Sequence, residues 1–379
     1  MKYFGYYADS TRLDKEKCAL AAINKMDYIA DVIANVADST EIISFLSRCG
    51  GAQKSERIEL RNGVSVKYFA LKSNKNRILR VVSRFFGKLK LLLWIIKNVD
   101  NDEPVIVYHS LGYFNVINLA HKLKKFKLIY EVEEIFADVI GNKRLRKHEI
   151  KILKSADAYI FPTKLLSDLI NESRKPEVLI HGTYKVEHNR EVSFNDGKIH
   201  IVYAGTFDPR KGGALAAVSA AELLSSKHHI HIIGFGGDED IKNIKERIDE
   251  VSKISKANIT YDGLLSGEEY VKFIQSCDIG LSTQNPDAAF NDTSFPSKIL
   301  SYMANGLRVV TVRIPAIESS AVGRDVYYYD EQTPQAIAEA IMKIDLNDGY
   351  DGRKRIKELD IQYKEDMTRL LGGKNAKYI

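Results

Sequence analysis

The feature that most constrains this chain is a series of short apolar segments that alternates with longer amphipathic ones, breaks off once, and starts again. In the first half the apolar segments are "KYFGYY" (2–7), "EIISFLS" (41–47), "PVIVYHS" (104–110), "KLIYEVEE" (127–134), "DAYIFPT" (157–163) and "EVLIHG" (177–182). They read as strands, whereas residues 15–36 and 76–98 carry apolar side chains at helical spacing. Residues 57–71 read as a hairpin whose tight turn, Asn62-Gly63, needs positive φ. The polar, patternless stretch 185–198 reads as a linker. After it, strands return at 200–205, 229–236, 258–263, 278–283, 307–312 and 325–330. Strands alternating with helices predict parallel sheets covered on both faces. The expected fold class is α/β, with two doubly wound Rossmann-like domains facing a cleft, over 1–190 and 191–348, followed by a helical segment over 349–379. Ligands in such sheets sit off the carboxyl ends of the strands.

A length of 379 residues is too great for one small core and fits two domains. The three cysteines, Cys18, Cys49 and Cys277, are scattered and lack CxxC spacing, which argues against a disulfide framework and a cysteine zinc site. The N-terminal stretch has no apolar core of signal-peptide length. The longest apolar run, "LLLWII" (91–96), falls far short of the roughly 20 residues that cross a bilayer. A cytoplasmic protein is the expectation.

Charge is divided unequally. Residues 1–190 hold 33 Lys and Arg against 22 Asp and Glu, and the remainder 23 against 28. No acid occurs between Glu59 and Asp100, an interval with ten bases. Arg77, Arg80, Arg84 and Lys88 recur at three and four residues and form one stripe of the 76–98 helix. Ile78, Val81, Val82, Phe85, Phe86 and Leu89 occupy much of the rest. A basic amphipathic helix suits an anionic membrane surface, where each base contributes about 1 kcal/mol. The alternative is an ordinary domain helix with a solvated charged face. Nucleic acid is not an expected partner, because stacking platforms and nucleic-acid motifs are missing.

Three stretches can carry chemistry. "YAGTFDPRKGG" (203–213) passes from a strand through a loop to a helix, and offers backbone N–H groups and Lys211 to a diphosphate. "NDTSFPSKILSYMANG" (291–306) places Ser294 as a helix cap, Pro296 in the first turn, and the N–H groups of Ser297 and Lys298 beside the Lys298 charge. Two cationic helix starts in one sheet suit a nucleoside diphosphate. "GFGGDED" (234–240) lacks the complete dinucleotide fingerprint. Its Asp238 and Asp240 form an Asp-x-Asp pair, which the dipole of a helix's first turn explains without a metal.

These stretches, with "ITYDGLLSGEEYVKFIQSCDIGLS" and "PAIES", follow the order found in nucleotide-sugar glycosyltransferases of the GT-B type, and the chain most resembles the retaining family 4 enzymes of bacterial polysaccharide biosynthesis. The likeness is clear over about 195–345 and looser in the first half, through "NKMDYI", "YHSLGYFN" and "IYEVEEIFADV". It implies that Lys211 binds the diphosphate. It puts Thr206 where the family has a partner arginine, so Arg210 or Lys298 supplies that charge. The family's two glutamates, separated by seven residues, fall on Thr293 and Ser301. Ser301 can still bond the donor ribose, more weakly than a carboxylate, while Thr293 brings no negative charge to the donor sugar. His109 matches the histidine before the acceptor-side loop, and Glu133 matches a position that orients a sugar hydroxyl or stabilises charge at the anomeric carbon. Gly5 ends the first strand, where backbone would approach donor or acceptor. The last helix is expected to cross back to the first domain.

The function so implied is hexosyl transfer from a nucleoside diphosphate sugar, with uridine as the favoured base, to a glycan acceptor, lipid-linked, at the inner face of the membrane in capsule, O-antigen or exopolysaccharide assembly. No cofactor is expected, no metal-ligand cluster is visible, and the lysines offset the leaving phosphate without a metal. The alternatives are a non-catalytic scaffold or chaperone of the same fold, suggested by Thr293 and Ser301, and a sugar-nucleotide epimerase.

Overall fold

A computed structural model describes residues 1–9, 20–44, 55–69, 76–112, 114–209, 212–288, 291 and 293–372. The chain forms two compact units, Met1–Ile180 together with the chain from Gln362 onward, and His181–Ile361.

The first unit contains β1 (Lys2–Gly5), α1 (Leu20–Ala37), β2 (Thr40–Ser44), β3 (Glu56–Arg61), β4 (Val64–Tyr68), α2 (Arg77–Asn98), β5 (Pro104–Tyr108), α3 (Phe114–Lys124), β6 (Lys127–Glu131), α4 (Phe136–Ile140), α5 (Lys143–Leu153), β7 (Ala158–Phe161), α6 (Lys164–Ile170) and β8 (Glu177–Leu179). Its strands form one sheet in the order β3-β4-β2-β1-β5-β6-β7-β8. The pairing is parallel apart from the hairpin β3–β4, whose turn residue Gly63 has φ of 74°. Central strands such as β1 and β6 are buried on both faces, which is why they read as continuous apolar runs. Trp94 of α2 packs edge-on against Phe4 and Phe69. Leu91, Ile95 and Val99 are fully buried, so the C-terminal half of α2 belongs to the core. Its N-terminal half does not: Phe85 and Phe86 remain 65% and 61% exposed.

The second unit contains β9 (Ile199–Thr206), α7 (Gly213–Ala220), β10 (His228–Phe235), α8 (Asp238–Ser252), β11 (Asn258–Gly263), α9 (Gly267–Gln275), β12 (Ile279–Ser282), α10 (Lys298–Ala304), β13 (Arg308–Val312), α11 (Pro315–Glu318), β14 (Tyr327–Tyr329), α12 (Pro334–Met342) and the first part of α13 (Gly352–Leu371). The sheet order is β11-β10-β9-β12-β13-β14, parallel throughout. Strand order reverses between β9 and β12, and such a switch point opens a crevice at the carboxyl ends. The glycines of "GFGG" serve this sheet: a side chain on Gly234 would collide with the carbonyl of Gly205 on β9. The acids that follow cap α8, with Asp240 accepting from the Gly237 N–H at 3.0 Å.

Residues 185–198 are not a spacer between units. The boundary falls at Ile180, because this polar stretch is tied into the second unit. Glu187 N–H donates to the Ala304 carbonyl at 3.0 Å, Arg190 N–H donates to Gln275 at 3.0 Å, and the Arg190 guanidinium bonds both oxygens of Glu268. The end of α13 belongs to the first unit, where Tyr363 stacks on Tyr28 and the Lys127 ammonium donates to the Leu370 carbonyl at 2.6 Å.

Candidate functional site

Tyr302 holds α10 against the switch point. Its hydroxyl donates to the Leu281 carbonyl of β12 and accepts from the Ala204 N–H of β9 at 2.7 Å. Gly280 makes room for the ring, since a Cβ there would overlap it. Thr283, just past β12, donates to the Gly213 carbonyl at 2.7 Å and accepts at its own carbonyl from Gln332. β9, β12, α7 and α10 are thereby locked together at the carboxyl edge.

Lys298, the first residue of α10, reaches this edge. Its Nζ lies 3.9 Å from the centroid of the Tyr203 ring. A Cβ on Gly205 would stand 3.1 Å from the same atom, so the glycine leaves the ammonium its space. Among the described residues no carboxylate pairs with Lys298. Burial pushes its ammonium down to about 7. An unpaired, partly desolvated cation over an aromatic face is primed for an anion, because only an anion restores the stabilisation that water provided.

The residues around it correct parts of the sequence reading. Ser294 does not cap α10; Ser297 occupies the cap with φ of −55°, and its side chain makes no capping bond. Pro296 stands one residue before the cap, and its carbonyl accepts from Ile299 N–H at 3.1 Å. The chain enters the helix through a turn that is already helical, so a serine hydroxyl cannot fold back as it does from extended backbone. With only seven residues in α10, attraction for an anion resides in Lys298 rather than in the helix end. Ser301 lies one turn along, with Oγ 3.3 Å from the Tyr270 hydroxyl. Thr293 and Ser294 are half-buried, and Thr206 is exposed at the end of β9. Arg210 and Lys211 lie outside the described residues. Asn291, which the sequence did not single out, is buried and closes the preceding loop by donating to the Asn285 and Pro286 carbonyls.

In the first unit the carboxyl ends of β1, β5 and β6 present a different arrangement. His109 is wholly buried between Phe114 and Phe136, with Nε2 3.0 Å from Glu149 Oε1. Glu149, equally buried, accepts the N–H groups of Phe136 and Ala137 at 2.9 Å each and so fixes the start of α4. The expected role of His109 as a group facing substrate is therefore not what this unit shows: the ring is sealed in core. Gly5 is also explained by packing, since a side chain there would overlap Met26 of α1. Glu133 is half-buried and held by the Lys25 ammonium at 2.6 Å, which also donates to the Ile180 carbonyl. Glu131 was missed in sequence. It is fully buried, its Oε2 accepts from the Tyr3 hydroxyl, and its Oε1 has no hydrogen-bond partner among the described residues. Burial, then the nearby Glu133 charge, push its carboxyl up to about 8. The apolar run in "KLIYEVEE" does place Glu131 on a strand, but only the packing around it shows that its side chain is buried.

The architecture is that of the GT-B glycosyltransferases, and residues 198–346 match the family model described as glycosyl transferases group 1, a class of sugar-transferring enzymes. Among solved structures, sucrose-phosphate synthase from Thermosynechococcus elongatus is similar with a TM-score of 0.69 and 14% identity, over 97% of this chain and 97% of that one. A trehalose-6-phosphate protein from E. coli bound with UDP-2-fluoro glucose has a TM-score of 0.65 and 9% identity, over 98% and 99%. An α,α-trehalose-phosphate synthase (UDP-forming) from Burkholderia xenovorans, in complex with glucose-6-phosphate, has a TM-score of 0.64 and 12% identity, over 98% and 99%. No curated protein matches the sequence.

Proposed function

We propose that this protein transfers a hexosyl group, with retention, from a uridine diphosphate sugar to a lipid-linked glycan acceptor in the assembly of a surface polysaccharide. The observation that carries the reading is Lys298, a cation without a carboxylate partner among the described residues, set on Tyr203 at the switch point of the second sheet. A diphosphate there would meet a charge that needs an anion, and the leaving phosphate would be stabilised as its negative charge grows. Lys211, or Arg210, supplies the second charge in this scheme. Uridine is favoured by the neighbours, one of which is bound with UDP-2-fluoro glucose while another is UDP-forming.

A membrane-borne acceptor is supported by α2. Ile78, Val81, Val82, Phe85, Phe86, Leu89 and Leu93 are all exposed, and they recur at helical spacing beside Arg84 and Lys88. An exposed apolar face of this length flanked by bases fits the plane of an anionic membrane. Arg77 and Arg80 belong to the same helix and would add charge to it. No helix among the described residues is long and apolar enough to cross a membrane.

A non-catalytic scaffold is the second reading, and Ser301 favours it: its hydroxyl already meets Tyr270 where a ribose-binding carboxylate is expected. Calorimetry with UDP-sugars, followed by assay of sugar release with and without membranes, separates the two. Saturable binding with turnover supports the transferase. Absence of binding at millimolar UDP-sugar, in a protein of normal melting temperature, would favour the scaffold.

A further inference from the structure

We infer that His200, His229 and His231 form a binding site for a zinc-type divalent cation, distinct from the diphosphate site. His229 and His231 are two apart on β10 and share one face of the sheet, and His229 is the register partner of His200 on β9. One ring nitrogen from each histidine can be chosen so that all lie within 4.8 Å of one another. His200 Nδ1 and His231 Nε2 are 2.9 Å apart. Two nitrogens on a tetrahedral zinc, each bound at about 2.0–2.1 Å, stand roughly 3.3 Å apart, so a small opening of this pair admits the metal.

The outer nitrogens explain why the inner ones converge. His200 Nε2 faces Asp196 Oδ1 at 2.8 Å, and His231 Nδ1 faces Asp262 Oδ2 at 3.0 Å. A carboxylate behind each ring requires an N–H on that side, and this turns the lone pair of each imidazole inward. Two lone pairs facing each other repel unless a cation lies between them. A carboxylate backing a ligating histidine is the usual outer support of a metal site. His229 stacks on His231 with ring centroids 3.9 Å apart, so its Nδ1 becomes the third ligand by a turn of the ring, while its Nε2 lies 3.1 Å from Thr260 Oγ1. Phe194 stacks on His200 and His231 and shields the cluster from water. Imidazole nitrogens backed by carboxylates suit zinc and its neighbours among divalent metals better than magnesium or calcium.

This site stands apart from the proposed transfer chemistry. His231 precedes Phe235, the last residue of β10, by four positions, or roughly 13 Å of strand. The metal would tie β9 to β10 and to the segment carrying Phe194 and Asp196. Linear spacing does not reveal this cluster; the pairing of β9 with β10 is what brings His200 to the His229-x-His231 pair.

The test uses the full chain stripped with chelator and titrated with cobalt(II). The expected result is one equivalent bound, with the visible bands of low-coordinate cobalt(II), displaced by zinc, and a raised melting temperature. His200→Gln and His231→Gln should abolish uptake, Asp262→Asn should weaken it about 10- to 100-fold, and His148→Gln, on an exposed histidine, should leave it unchanged. Wild-type protein that takes up no cobalt at a hundredfold excess overturns the inference whether or not the variants fold. So does uptake that survives in His200→Gln and His231→Gln, or a proton between the two rings, seen by imidazole NMR, that saturating zinc does not displace.

Discussion

The Lys298 ammonium rests 3.9 Å from the centroid of the Tyr203 ring, at the point where strand order reverses in the C-terminal sheet. The ring attracts the cation through its quadrupole but leaves its charge uncompensated. Under the proposed function, that pairing makes the lysine both a marker of the donor site and a reporter of what binds there.

Replacing Lys298 by Met should weaken UDP binding about 10- to 100-fold, the range expected when a charge-assisted hydrogen bond to phosphate is lost. The melting temperature should not fall, because the buried charge is itself unfavourable. Calorimetry and thermal denaturation read the two quantities, and unchanged affinity would remove Lys298 from the donor site.

The same residue predicts a pH signature. Burial lowers the folded-state value to about 7, and a bound diphosphate favours the charged form. Affinity should therefore fall as pH rises above 7, and binding at pH 8 should take up close to one proton. Without ligand, the unfolded chain keeps this proton to higher pH than the folded one, so the Lys298 contribution makes stability rise with pH from about 7 toward the ordinary lysine range. Calorimetry in two buffers of different ionisation enthalpy counts the protons; equal heats for the wild type in both would contradict the assignment.

Glu131 should act in the opposite direction. Its folded-state value is raised to about 8, so the folded protein holds a proton that the unfolded chain loses near the ordinary glutamate value. The contribution is fully present below that lower value and is lost as pH rises toward 8. Urea midpoints measured from pH 5 to 8.5 should decline more steeply for the wild type than for Glu131→Gln, which carries no titrating proton. Parallel profiles would show that the buried carboxyl is not protonated in the folded state.

His109 and Glu149 should behave as structural partners. Glu149→Ala removes the carboxylate beside His109 and leaves two backbone N–H groups without their acceptor, and a loss of about 3–5 kcal/mol is expected. His109→Asn should likewise lower stability while leaving the KM for donor within about twofold, because its ring is sealed in the core. A large fall in kcat at unchanged melting temperature would return His109 to the reacting centre.

Phe85 and Phe86 test the membrane face. Changing both to Glu should reduce co-sedimentation with anionic vesicles at least about tenfold, since burying one such ring is worth about 1.5–3 kcal/mol. Thermal stability should be unchanged because neither ring is in the core. Equal sedimentation of the wild type and the variant would exclude this face.

Much of this was legible beforehand for a physical reason. Strands buried on both faces must be apolar along their length, so "PVIVY" and "KLIYE" announce themselves, and Asn62-Gly63 marks its turn because few other residues accept positive φ. Lys298 was legible as a candidate because a lysine at a strand-to-helix junction is local information. The cap was misread because Ser294 and Ser297 are equivalent in one dimension, and only the backbone angles choose between them. Residues 185–198 were misread as a spacer because polarity signals surface, and surface includes segments tied down by Arg190 and Glu187.

The sequence by itself determined the α/β class and the two largely parallel sheets, because side-chain periodicity is set by neighbours along the chain. Tertiary structure alone decided which polar groups are charged, paired or sealed from water. His109 meets Glu149 forty positions away, Glu131 meets Tyr3 across the sheet, and three histidines from two strands converge on one point. Desolvation and Coulomb attraction depend on distance in space, and a linear pattern does not contain that distance until the strands have paired.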